Sequence, residues 1–197
     1  RYANAHTFCI AALKIAGEKE VFELVRDQGR FSAQLLRPVT MQLADALKHV
    51  HSRGFGHFDV KAENIRITCP PEGDPEVTLV DFGLAVNLGS GEHPTQPGTL
   101  GIAAPEFFTG TFADVDSQNI GAADIFSLGA TLYAMGFYYS PFECTYQDAT
   151  QRVVECSYLR VIGGAQFPPD KAGYSAAFVE LINWMLTVDP RKRALLH

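Results

Sequence analysis

The sequence predicts a mainly α fold with one small β-hairpin, and three observations carry that prediction. Apolar residues recur at helical spacing in separate segments, one segment is apolar on nearly every face, and two short strand-like runs flank a turn built from Pro, Gly and acidic residues. The first of these helices is predicted over Ser32 to His51: Ser32 is placed to cap it, Val39, Leu43, Leu47 and Val50 repeat along one face, and Gly54 follows its end. Pro38 lacks a backbone donor and is expected to bend this helix unless it falls in the first turn or so, where such donors are unpaired anyway. Ile65 to Thr68 and Val77 to Val80, separated by Pro70-Pro71-Glu72-Gly73-Asp74, form the hairpin. Asp124 to Met135 carries Ile125, Phe126, Leu128, Leu132 and Met135 around its circumference, which suits a central helix buried on all sides. Phe178, Leu181, Ile182 and Met185 follow the i, i+3, i+4, i+7 rule, and Asp189-Pro190 stops this last helix.

Composition narrows the class. A chain of 197 residues with 47% hydrophobic and 19% charged content has enough apolar surface for one substantial core, and it is read as a single unit. The apolar stretch Phe8 to Ala16 is interrupted by Lys14 well before the roughly 18 residues of a membrane span, so none is expected. A formal net charge of -6 without long runs of one sign argues against nucleic acid as the partner. Cys9, Cys69, Cys144 and Cys156 form no Cys-x-x-Cys pair, and free thiols in a reducing compartment are expected, which points to an intracellular setting, the cytoplasm or nucleus. The chain opens at Arg1 within an apparent strand and reads as a fragment of a longer protein.

Chemistry gathers at the hairpin. His57-Phe58-Asp59-Val60-Lys61-Ala62-Glu63-Asn64 enters it and Asp81-Phe82-Gly83 leaves it, so two oxygen ligands and a cation are brought to one cleft. Oxygen donors of that kind suit Mg²⁺, which takes few protein groups and leaves room for phosphate oxygens. Phosphoryl transfer needs metal clamping, a positioned hydroxyl and charge stabilisation, and these residue types match it. Asp81 follows Asn64 by 17 positions, and Glu106 ends Ala104-Pro105-Glu106 after 25 more. That ordered set resembles the signature of eukaryotic-type serine/threonine protein kinases: a His-x-Asp-x-Lys-x-x-Asn catalytic loop, then Asp-Phe-Gly, then Ala-Pro-Glu. Gly98-Thr99, Asp124-Ile125-Phe126-Ser127-Leu128-Gly129 and Asp189-Pro190-Arg191-Lys192-Arg193 extend the resemblance over almost the whole chain.

The resemblance implies a protein-kinase-like C-terminal lobe, catalytic loop 57-64 and activation segment 81-106, using ATP and Mg²⁺ to phosphorylate a protein substrate. Asp59 resembles the catalytic base and Lys61 the lysine that steadies the transferring phosphate; Lys61 also favours serine or threonine acceptors. Asn64 and Asp81 resemble the metal ligands, and Thr99 the activation-segment threonine that bonds the catalytic pair. Glu106 and Arg193 resemble the family's buried ion pair, and Asp124 the anchor of the catalytic-loop backbone. Residues 1-16 would be the last N-lobe strand and the hinge, with 17-197 the C-lobe. In that register Phe8 to Leu13 is the strand, Glu20 to Arg26 a helix, Leu13 guards the back pocket, the backbone of Lys14 and Ala16 meets adenine, and Glu20 lies near the ribose.

Three departures accompany the resemblance. No glycine-rich loop, strand lysine or partner glutamate helix precedes the hinge, so the N-lobe is expected to be missing from the chain, to be its natural partner, and to be required for activity. Phe58 replaces the usual arginine beside the catalytic aspartate, removing the cation an activation-loop phosphate would pair with. Arg66 stands where an apolar side chain commonly lies beneath adenine, and it either stacks on the base or obstructs it. At subgroup level Leu132-Tyr133-Ala134-Met135, Ser140-Pro141-Phe142-Glu143, Trp184-Met185-Leu186 and the Thr109 to Ala122 insertion resemble Numb-associated kinases, whereas His57-Phe58-Asp59-Val60-Lys61 with Gly83-Leu84-Ala85-Val86 resembles the Wee/Myt group. The alternative function is a pseudokinase or kinase-like binding module without catalysis.

Overall fold

Ser32 starts the longest helix among the described residues in the way its side chain allows: its Oγ accepts from Leu35 N at 3.3 Å, satisfying one of the donors a helix start leaves open. The computed structural model describes residues 18-90, 94, 98-109, 121-138, 140-142, 144-147, 152-156 and 173-193. The helix, α2, runs over Ala33–Ser52, and Pro38 is its sixth residue, beyond the first turn. It continues through Pro38 because the carbonyl that loses its partner belongs to exposed Gln34, where water can bond it. Before it come β1, Lys19–Glu20, and α1, Val21–Gln28, so the helix expected from Glu20 starts one residue later. Leu13, Lys14, Ala16 and the Phe8 to Leu13 strand lie outside the described residues.

Strands β3, Ile65–Thr68, and β4, Glu76–Leu79, form the expected hairpin, pairing Ile65 with Leu79 and Ile67 with Val77. β1 adds an antiparallel third strand, Glu20 opposite Arg66. Two further two-stranded ribbons are present: β2, Phe55–Gly56, with β5, Val86–Asn87, and β6, Cys144–Gln147, with β7, Arg152–Cys156, whose register sets Cys144 opposite Cys156. Among the described residues the fold is thus mainly helical with three small sheets rather than one hairpin alone.

The remaining helices among the described residues are α3, Glu106–Thr109, α4, Ala122–Phe137, and α5, Ala176–Met185. α4 is buried along nearly all its length, as its apolar circumference requires. It packs on α2 and α5, and Leu36, Val39, Leu43 and Leu47 of α2 join Phe126, Leu128, Leu132 and Ile182 in one core. Fully burying each of these larger side chains contributes about 1.5–3 kcal/mol. Gly129 lets α5 come close, since a Cβ there would lie 2.7 Å from Met185 Cβ. Gln42 of α2 clamps the hairpin to this core: its amide donates to Pro75 O at 2.6 Å and accepts from Val77 N at 2.9 Å. No helix among the described residues is long and apolar enough to cross a membrane.

Candidate active site

The central helix positions the site. Asp124, fully buried in the first turn of α4, accepts from His57 N at 2.8 Å, Phe58 N at 2.7 Å and His51 Nε2 at 2.8 Å. Those bonds offset the desolvation of its charge and fix the backbone of the loop 57-64 from below. Thr131, two turns along the same helix, donates to Val60 O at 3.1 Å and holds the loop two residues beyond Phe58. Phe58 takes a left-handed φ of 61° in this loop. Such backbone costs about 1–3 kcal/mol for a non-glycine residue and persists because the two-point grip of Asp124 over-determines it. Its ring is buried edge-on against Phe107, 5.8 Å between centroids, so the position where the resemblance would have an arginine is filled by an apolar contact.

Above this base four of the candidate residues meet. Asp59 Oδ2 lies 2.8 Å from Lys61 Nζ and accepts from Asn64 Nδ2 at 2.8 Å, while its Oδ1 accepts from Thr99 Oγ1 at 3.1 Å. Lys61 Nζ also donates to Thr99 Oγ1 at 3.1 Å, closing a ring of hydroxyl, ammonium and carboxylate. Thr99 reaches the loop because its neighbour is glycine: a Cβ on Gly98 would stand 2.7 Å from the Phe58 carbonyl oxygen. Asn64 gives both amide hydrogens to Asp59, one to the backbone oxygen at 2.9 Å, which leaves its own amide oxygen open.

Asp81 stands apart from that ring but is tied to it through the preceding residue. Val80 N donates to Asn64 O at 2.9 Å, and His57 Nε2 bonds Val80 O at 3.1 Å. The Asp59 amide donates to His57 Nδ1 at 3.2 Å, so Nδ1 is the acceptor and Nε2 carries the hydrogen. His57 thereby joins the two candidate segments, and the Phe82 ring lies tilted against it, 4.8 Å between centroids. Asp81 itself is exposed, with a left-handed φ of 62°, and its Oδ1 accepts from Gly83 N at 3.1 Å, leaving Oδ2 open. An open amide oxygen and an open carboxylate oxygen form a donor set that fits Mg²⁺, a hard ion that keeps water and phosphate oxygens in its remaining positions. Among the described residues no cluster of three or more His, Cys, Asp or Glu offers a rival site.

Glu106 and Arg193 form the expected buried pair. The guanidinium gives two parallel bonds to Glu106, at 2.8 and 3.1 Å, and others to Ala122 O, Thr187 O and Val188 O, so all its donors are used. It also covers the Phe126 ring at 4.9 Å. Glu20 and Arg66 meet each other: Arg66 Nη1 lies 3.4 Å from Glu20 Oε2 and donates to Glu63 O at 2.6 Å. His51, Thr131 and Gln42 were not anticipated, since each works through a bond to a group distant in sequence that no local pattern encodes.

Residues 2–197 match the family model of the protein kinase domain. The chain belongs to the protein kinase family. Its relatives include serine/threonine kinases: the serine/threonine-protein kinase cds1 of Schizosaccharomyces pombe is 32% identical over 179 residues, 88% of this chain and 36% of that protein. The Aurora kinase of the same organism is 30% identical over 94% of this chain and 47% of that protein. The kinase chain therefore spans less than half the length of these relatives. In fold it is similar to the Rad53 kinase domain and SCD2, with a TM-score of 0.71, 24% identity, and coverage of 93% of this chain and 59% of that one. The same Rad53 assembly in complex with AMPPNP superposes equally, TM-score 0.71 at 23% identity, over 93% of this chain and 63% of that one.

Proposed function

We propose that this kinase chain is the catalytic lobe of an active serine/threonine kinase that transfers the γ-phosphate of ATP to a hydroxyl of a protein substrate inside the cell. The supporting observation is the closed ring of Asp59, Lys61, Asn64 and Thr99, which a binding module has no physical need to assemble. Asp59 accepts or orients the proton of the incoming hydroxyl, whose oxygen forms the new bond to phosphorus as the bond to the bridging oxygen of ADP breaks. Lys61 sits beside that carboxylate as the cation that steadies the moving phosphoryl charge, and Thr99 holds the two in register. Asn64 and Asp81 would hold Mg²⁺, which neutralises and aligns the phosphates when bound. In this reading the base and ribose lie against Leu13, Lys14, Ala16, Glu20 and Arg66, residues 1-16 form the last strand of an N-terminal lobe and the hinge, and that lobe must cover the phosphates before transfer proceeds.

The experiment is γ-phosphate transfer from Mg-ATP to a generic protein acceptor by the full-length protein and by its Asp59→Asn variant, both shown folded. A rate that falls by a factor on the order of 10²–10⁴ in the variant is the expected result. Equal rates would remove Asp59 from the mechanism, and no transfer or Mg-ATP binding by the wild type would leave a pseudokinase scaffold. The engagement of Arg66 by Glu20 is the observation that favours this second reading, because both groups border the proposed nucleotide position.

A further inference from the structure

Arg66 sits in the four-residue strand β3, where Ile65 and Ile67 are buried and Arg66 and Thr68 lie on the opposite, partly covered face. Its side chain is 27% exposed, so most of it has left water and its charge needs partners. Two are present. One is the Glu63 carbonyl at 2.6 Å, the other the Glu20 carboxylate at 3.4 Å. Glu63 is the middle residue of the one-turn 3-10 helix Ala62–Asn64, and Asn64 ends it. That turn is fixed at its end by Asn64 N donating to Lys61 O at 3.0 Å and by Val80 N donating to Asn64 O at 2.9 Å. Arg66 grips the Glu63 carbonyl at 2.6 Å, the oxygen of the peptide that leads into Asn64, while the Asn64 amide is bonded to Asp59. Glu20 stands at the N-cap of α1 yet makes no capping bond. It is set opposite Arg66 by strand register, and its carboxylate serves the guanidinium.

We infer that Arg66 is a positioning residue for the metal ligand Asn64, and that Glu20 orients Arg66 for that task. The inference rests on the proposed reading of Asn64 as a ligand. A charge-assisted bond to a carbonyl adjoining a ligand acts as an outer-shell support: it does not touch the ion, but it fixes the ligand that does.

Mn²⁺ is the probe, titrated into the full-length protein saturated with a non-hydrolysable ATP analogue, with free Mn²⁺ followed by electron paramagnetic resonance. Arg66→Met is expected to weaken Mn²⁺ binding on the order of tenfold, to raise the Mg²⁺ needed for half-maximal transfer in parallel, and to leave a folded protein by circular dichroism. Arg66→Lys should recover part of the loss. Glu20→Gln, a milder change on a partly exposed side chain, should lower Mn²⁺ affinity in the same direction, and the double variant should be no weaker than Arg66→Met alone. Wild-type Mn²⁺ affinity in folded Arg66→Met or in Glu20→Gln would overturn the inference, as would a loss that only tracks the folded fraction. A wild-type protein that binds Mg-ATP and transfers phosphate while these variants behave normally would overturn the inference alone. A wild-type protein that binds no Mn²⁺ with the nucleotide analogue would overturn both the inference and the proposed function.

Discussion

Asp124 and Asp59 are the same residue put to opposite uses. Asp124 is fully buried under the loop, and its oxygens are taken by two backbone amides and one imidazole. Asp59 belongs to the loop itself, with its side chain 11% exposed and held by side chains that are themselves candidates for chemistry. A frame residue is saturated by groups that cannot move, whereas a reaction-face residue is held by groups that can exchange partners when substrate arrives. The same contrast separates Arg193, every donor spent inside the molecule, from Asp81, one oxygen open and facing solvent.

That contrast predicts an order of effects on stability. Arg193→Met should be the most damaging, because it leaves the Glu106 carboxylate buried without a partner; a loss of about 3–5 kcal/mol is expected in urea-induced unfolding. Asp124→Asn keeps the shape but replaces one acceptor oxygen by a donor facing amide hydrogens, so about 2–3 kcal/mol should disappear, read in the same assay. Ser32→Ala removes the cap of α2, and about 1 kcal/mol is expected from thermal unfolding, enough to rank it below both frame changes. The smallest effect is a pH dependence. Tyr174 donates its hydroxyl to the Phe31 carbonyl, and burial raises its pKa above the ordinary tyrosine value. The neutral phenol is therefore favoured by folding, and its contribution is full below a pH of about 10 and declines as pH rises through the folded pKa. Tyr174→Phe should flatten that decline, and an unchanged alkaline limb would assign it to another group.

How much of this was legible in the sequence follows from the range of each interaction. The caps and stripes of α2, α4 and α5 are local, and they appear where Ser32, the apolar circumference of 124-135 and the Phe178 to Met185 pattern set them, although α5 ends at Met185, before the Asp189-Pro190 expected to stop it. Boundaries moved where tertiary bonds compete with local pattern. Val80 was expected in the strand but leaves the ladder to bond Asn64 and His57, and Glu20 was expected in a helix but pairs with β3. The positions of Asp59, Lys61, Asn64, Thr99, Glu106 and Arg193 were legible because the family resemblance carries long-range information that periodicity does not. His51, Gln42 and Thr131 had no such signal, since each bonds a group between 33 and 73 residues away. The Arg66–Glu20 pair stayed hidden for a related reason: the departure at Arg66 was visible, but its partner depended on a two-residue strand.

The most direct test is equilibrium unfolding of the protein with the same substitution at the other aspartate. Asp59→Asn is expected to stay within about 1 kcal/mol of wild type, because the Lys61, Asn64 and Thr99 side chains that hold it can shift onto the remaining amide oxygen, whereas the backbone amides on Asp124 cannot. A loss as large as that of Asp124→Asn would contradict the division between frame and reaction face, and would make the ring around Asp59 a structural device.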